Sequence, residues 1–316
     1  MLMDWVYTGV GLVLLLLAGD SLVKGAVNLS LRLGVPALIV SLTVVAFGTS
    51  APELLISVQA ILDGLPGIAL GNVVGSNTAN VLLVLGLPAL IATMHTSDCN
   101  TRKTYLQMIA ASVLFIALCF RGVIDWIAGV ILLLALGAML GHAFREVKRH
   151  RQSSVDAEED EVEGADPNLG WGKILLFLAL GLVGLPLGAS LLVDGASNIA
   201  RTFGVSDTVI GLTLVAIGTS LPELATTVMA TLRKQADVAL GNVIGSNMFN
   251  LLAIIGIASL VGAIPVDPQF LSFDLWIMLG ASLLLIPFVF MRQDITRVWG
   301  VILTSIYAGY LFLVLV

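Results

Sequence analysis

"VVAFGTSAPELLIS", residues 44–57, decides how this chain folds. Val44 to Phe47 suit lipid, yet Gly48-Thr49-Ser50-Ala51-Pro52 interrupts them and a carboxylate, Glu53, follows. A proline within a helix cannot donate to the carbonyl four residues back, and its ring pushes the preceding turn open. Carbonyls near residues 46–49 are therefore expected to be freed at membrane depth, where an unsatisfied polar group costs several kcal/mol. A cation, a neighbouring side chain or a water can fill such a gap.

The rest of the chain establishes that this depth is real. Of 316 residues 58% are hydrophobic and 11% charged, well below the roughly one quarter charged in soluble domains. With a mean hydropathy of +1.03, the chain offers one segment after another long enough to cross a hydrocarbon core of about 30 Å. Met1-Leu2-Met3-Asp4 has no basic leader and no small-residue cleavage site follows, so the first apolar run reads as a retained helix. Cys99 and Cys119 are too few for a disulfide framework.

Ten spans are predicted, near residues 6–23, 36–60, 67–92, 104–120, 123–143, 172–193, 206–230, 237–262, 272–291 and 296–315. With the N-terminus outside, 13 of the 15 lysines and arginines fall in inside loops and only Arg121 and Arg201 outside. Both termini are then external. The stretch 145–170 is a cytoplasmic linker whose acidic run is Asp156, Glu158, Glu159, Asp160, Glu161, Glu163 and Asp166. It fits no EF-hand loop and reads as a solvated segment.

A shift of 170 residues lays "TVVAFGTSAPE" (43–53) on "TLVAIGTSLPE" (213–223) and "GNVVGSNTAN" (71–80) on "GNVIGSNMFN" (241–250). Each copy has an odd number of spans, so the second enters the membrane from the opposite side. The fold class expected is an all-α polytopic membrane protein of two inverted five-helix repeats, residues 1–144 and 171–316, with broken helices at the midplane.

Glu53 and Glu223 are the acids deep within spans, where a charge costs roughly 2.5 to 3.5 kcal/mol on insertion scales. Asp20 is expected near a helix end, paired at the surface with Lys24. Thr49 and Ser50 precede Glu53 by four and three residues, as Thr219 and Ser220 precede Glu223, so on a helix their oxygens share a face. Ser76 with Asn80, and Ser246 with Asn250, share faces of the following spans. Two carboxylates among neutral oxygens suit Ca²⁺, and suit Na⁺ ions equally, while the absence of His and Cys from the motifs disfavours zinc and copper. Asn72, Asn77, Asn242 and Asn247 fit helix packing as well as ligation. An intramembrane hydrolase would need a nucleophile that nothing here supplies.

At these residues the sequence resembles the cation/calcium exchanger superfamily, in particular its prokaryotic sodium/calcium exchangers, whose two alpha-repeat signatures are similar to 48–53 and 218–223. The resemblance implies a Ca²⁺/Na⁺ antiporter working by alternating access in a prokaryotic inner (plasma) membrane, not an enzyme, with no cofactor and no nucleic-acid partner. It implies that Glu53 and Glu223, with the backbone oxygens of Thr49 and Thr219, bind Ca²⁺. It likewise implies that Ser50, Ser220, Ser76, Ser246 and the carbonyls of Ala46 and Ala216 help form flanking Na⁺ sites, while Asn80 and Asn250 line the middle of the site. Some members carry aspartate at one of those last two positions. Ca²⁺/H⁺ exchange is the second reading.

Overall fold

The computed structural model describes residues 2–153, 166, 169–205, 216–268 and 270–315. It is nearly all helical. In order come α1 (Leu2–Leu33), α2 (Ala37–Thr49), α3 (Ala51–Leu62), α4 (Pro66–Ile91), α5 (Arg102–Cys119), β1 (Val123–Ile124) and α6 (Trp126–Ser153). The second half holds α7 (Trp171–Thr202), a helical turn α8 (Ala216–Gly218), α9 (Leu221–Leu232), α10 (Ala236–Val261), β2 (Ile264–Pro265), α11 (Phe270–Phe290) and α12 (Arg297–Leu315). Eight of these helices are long and apolar enough to cross a membrane, and the α2–α3 pair, bent by 42°, makes a ninth among the described residues. Residues 206–215, the start of the predicted seventh span, lie outside the described residues, as does the acidic run of the linker except Asp166.

The most enclosed helices are α4 and α10, which carry the repeated Gly-Asn-Val-x-Gly-Ser-Asn runs; 72% and 89% of their apolar windows are buried. They form the centre, and the other helices shield them from lipid. At the periphery α1 and α7 run antiparallel in close contact. A Cβ at Gly11 would lie 2.5 Å from the Leu192 nitrogen, and one at Gly188 would lie 2.9 Å from the Leu15 nitrogen. Small residues let backbones approach where no hydrophobic effect drives helices together.

Two short β-pairings tie the halves. Ile124 pairs with Ile264 and Val123 with Pro265, antiparallel, while Met94 bridges Ile295 through reciprocal N–H···O bonds of 3.0 and 3.1 Å. Met94 and Ile264 are repeat mates, and the partners Ile124 and Ile295 are mates to within one residue, so each half lends the same loop to the other.

Three boundaries differ from the sequence reading. α1 and α7 run about one pitch or more past the predicted ends at 23 and 193, because their polar final turns still find partners: Asn28 and Ser30 are buried, and Asn28 Oδ1 accepts the Asp166 N–H at 2.9 Å. Asp20 is consequently mid-helix, and besides Lys24 it binds Arg233. α6 continues to Ser153, so the first part of the expected linker is helical. Both cysteines are free.

Candidate functional site

The proline motif breaks its helix and restarts it. Ser50 takes φ −85°, ψ 7°, and Pro52 lies in the first turn of α3, where its missing N–H removes no intrahelical bond. Ser220 repeats this with φ −84°, ψ 3° ahead of Pro222. Thr49 and Ser50 make no side-chain hydrogen bond to their own Glu53 across this break. Their side chains turn to the other half instead: Ser50 Oγ donates to Glu223 Oε1 at 3.0 Å, and Thr49 Oγ1 donates to Asn242 Oδ1 at 3.2 Å and lies 3.4 Å from Ser246 Oγ. The carbonyl of Ala46 is only partly freed, since it accepts the Ser50 N–H at 3.1 Å and Thr49 Oγ1 at 3.3 Å.

The asparagines show how the halves meet. Asn77 Nδ2 donates to the Asn247 carbonyl at 3.1 Å, and Asn247 Nδ2 returns a bond to the Asn77 carbonyl at 3.3 Å. Asn80 Nδ2 donates to Asn247 Oδ1, and Asn250 Nδ2 to Asn77 Oδ1, both at 3.0 Å. Asn72 Nδ2 donates to the Glu53 carbonyl at 3.2 Å and to Ser57 Oγ at 3.0 Å; Asn242 Nδ2 donates to the Glu223 carbonyl and Thr227 Oγ1, both at 3.3 Å. Every bond has its mate under the 170-residue shift. The four asparagines left open by sequence are thus the joint of a local two-fold, fixing α4 against α10 and each glutamate's backbone against the following helix.

At that joint both central helices loosen into a π turn, Asn80–Val84 in α4 and Asn250–Ile254 in α10. Sequence reasoning missed both. A π turn adds a residue to the helix and frees backbone and side-chain oxygens, and such turns gather at functional sites. Nothing in "NVLLV" or "NLLAI" signals it.

The amide donors are satisfied, but many acceptors are not. Among the described residues nine buried side-chain oxygens lack a hydrogen-bond partner, and seven belong to the predicted constellation: both oxygens of Glu53, Oε2 of Glu223, the hydroxyls of Ser76 and Ser220, and Oδ1 of Asn80 and Asn250. Glu53 is 1% exposed and Glu223 0%. Buried polar atoms are seldom left unpaired, so a cluster of orphans of one polarity marks a place built for a positive ligand. Ser50 and Ser246 are the partnered serines of the constellation, their hydroxyls lying 3.0 and 3.4 Å from Glu223 Oε1.

The family model described as "Sodium/calcium exchanger protein" matches residues 3–145 and 173–316. This chain belongs to the sodium/calcium exchanger family. The exchanger is 35% identical to the putative antiporter CaxA of Alkalimonas amylolytica over 99% of both chains. It is 34% identical to the sodium/calcium exchanger MaX1 of Methanosarcina acetivorans over 95% of each. Its fold matches the solved sodium-calcium exchanger NCX_Mj, soaked with Na⁺ and Sr²⁺, with a TM-score of 0.80, 34% identity and 97% coverage of both chains. It is an integral membrane antiporter that exchanges Ca²⁺, a transporter and not an enzyme.

Around the two-fold joint the exchanger is not symmetric. A cavity of about 230 Å³ reaches Thr219 from between α3 and α7, lined also by Pro52, Pro186, Val193 and Asp194. At the mate of that opening, between α9 and α1, a Cβ at Gly19 would lie 2.9 Å from the Ala225 carbonyl, and Asp20 binds Arg233 and Lys24. Leu55 is 71% exposed where its mate Ala225 is 7% exposed. One side of the site is open and the other packed shut.

Proposed function

We propose that the exchanger moves Ca²⁺ against Na⁺ by alternating access, with both ion types competing for the oxygens of Glu53 and Glu223 and their neighbours. The observation that carries this is the set of orphaned oxygens. Two buried carboxylates without a cation partner are costly to enclose, so the carrier changes sides readily only when loaded. One Ca²⁺ or two Na⁺ balance the same two charges. Thr49, Thr219, Ser50, Ser220, Ser76, Ser246, Asn80, Asn250 and the carbonyls of Ala46 and Ala216 are the proposed neutral ligands, and Ca²⁺ accepts such a varied oxygen set.

Sodium is favoured over protons as the counter-ion by a specific feature. A proton neutralises a carboxylate with no further ligand, whereas this site surrounds its carboxylates with unfilled neutral acceptors from Ser76, Ser220, Asn80 and Asn250. The sodium in the names of MaX1 and NCX_Mj agrees with it. The proposed plan is two inverted repeats, 1–144 and 171–316, in a prokaryotic inner membrane, both termini outside and the linker 145–170 cytoplasmic.

Proteoliposomes loaded with Na⁺ and diluted into Na⁺-free buffer should take up ⁴⁵Ca²⁺, and an imposed pH gradient without Na⁺ should drive none. Uptake under the pH gradient alone would assign the exchanger to Ca²⁺/H⁺ exchange instead.

A further inference from the structure

A second polar cavity lies away from the ion site, at the membrane surface where the β-bridged loops after α4 and α11 meet. It has a volume of about 320 Å³ and is lined by Ser97, Asp98, Asn100, Arg102, Val289 and Arg292. Arg102 is anchored: its Nη2 donates to the Phe290 carbonyl at 3.2 Å, and its guanidinium carbon lies 5.8 Å from the centre of the Phe290 ring. The guanidinium of Arg292 has no hydrogen bond or ion pair among the described residues.

Arg292 sits in a turn that most side chains avoid. Its φ is +51°, in the left-handed region that costs any residue with a Cβ. Under the 170-residue shift its mate is Gly122, which takes φ +78° in the matching turn at the other end of the fold. One copy of the turn uses the residue that adopts this conformation freely, and the other puts an arginine there. The second half does this twice, since Lys234, at φ +55°, stands opposite Gly64, at φ +74°, so two left-handed turns that are glycine in the first half carry a basic residue near a span end here. What sets Arg292 apart from Lys234 is its place in the wall of this cavity, with Arg102.

The cavity's chemistry is that of a phosphodiester site. Two arginines line it, and the guanidinium is the group best matched to a phosphate in geometry and charge. Asp98 and Asn100 stand in the same wall as acceptors for hydroxyls. Phe290 and Met291, 39% and 65% exposed, continue the surface as an apolar flank on which acyl chains can lie. We propose that this cavity binds the headgroup of an acidic, hydroxyl-bearing phospholipid, phosphatidylglycerol, with its phosphate between Arg102 and Arg292 and its glycerol hydroxyls toward Asp98 and Asn100.

The test is a melting experiment on the full-length protein in nanodiscs of phosphatidylcholine, with and without 30% phosphatidylglycerol, as in roughly physiological anionic surfaces. Phosphatidylglycerol should raise the melting temperature of the wild type, and co-purified phosphatidylglycerol should be measurable by mass spectrometry of the extracted lipid. Arg292→Gly should melt at or above the wild type in pure phosphatidylcholine, since the left-handed turn is relieved, while losing both the upward shift and the retained lipid. Arg292→Asn, which tolerates the same backbone, serves if the glycine variant does not fold. An equal phosphatidylglycerol shift in wild type and variant overturns the proposal. So does a shift reproduced by millimolar inorganic phosphate in phosphatidylcholine discs, which would make the cavity a free-anion site.

Discussion

Glu53 and Glu223 are repeat mates with different surroundings. Glu223 Oε1 accepts from Ser50 and Ser246, whereas neither oxygen of Glu53 has a partner. Removing the charge from Glu53 should therefore cost the fold little and the exchange everything. Glu53→Gln is expected to melt at or above the wild type in cation-free buffer and to lose the rise in melting temperature that Ca²⁺ gives the wild type. That rise reflects about 2.7 kcal/mol at a hundredfold excess over Kd. Glu223→Gln should also abolish Na⁺-driven Ca²⁺ uptake, but with a lower melting temperature, because an amide cannot preserve both incoming hydroxyl bonds unless it flips. Full uptake in either variant would remove the assignment. The glutamates were legible because a buried acid is expensive and appeared twice. Which hydroxyl serves which carboxylate was not, since the Ser50 hydroxyl donates to the glutamate of the other half, a relation that spacing within one helix cannot reveal.

At the scale of elements, the legible features were those that repeat or that lipid enforces: long apolar runs, the 170-residue duplication and paired proline breaks. Helix ends escaped, because polar final turns of α1 and α7 are held by tertiary partners that hydropathy cannot see. The π turns escaped because they arise where α4 and α10 exchange asparagine bonds across the two-fold, a relation between distant residues. The α1–α7 pair tests how far packing rather than charge holds the periphery. Gly188→Leu would drive a side chain into the Leu15 backbone and the Gly11 carbonyl, 3.0 Å from the glycine's would-be Cβ. Overpacking of this kind costs typically 1 to 3 kcal/mol, so the variant should melt several degrees lower and lose transport, with Gly188→Ala intermediate. A variant as stable as wild type would show that the two helices separate at no cost.

Across the whole molecule, the duplication is symmetric at the asparagine joint and differs in charge at its two approaches. On the packed side stand Asp20, Lys24 and Arg233, with Asp20 bound by Lys24 at 2.9 Å and by Arg233 at 2.5 Å. Their mates on the open side are Ser190, Asp194 and Asp63, a hydroxyl and two acids that cannot form such a triplet. The open approach thus presents negative charge to an arriving cation, and the closed one is latched by opposite charges that are only about one fifth to one third exposed. The latch links α1 to the end of α9, so it must break if that side is to open, and the open side has no equivalent to form. The resting balance should accordingly favour the conformation seen here, and weakening the latch should shift it. A loss of about 1.4 kcal/mol changes the ratio of the two states tenfold. In a background with Cys99→Ser and Cys119→Ala, a cysteine at Ala225, 7% exposed, should react slowly with a membrane-impermeant maleimide, and Arg233→Gln or Asp20→Asn should speed it about tenfold. A cysteine at Ile56, which lines the open cavity, should react more slowly in the same variants as that side spends more time closed. If the rates at both positions are unmoved by loss of either charge, the triplet is a surface pair without influence on access, and the asymmetry must come from the glycine packing of Gly19 on Ala225 alone.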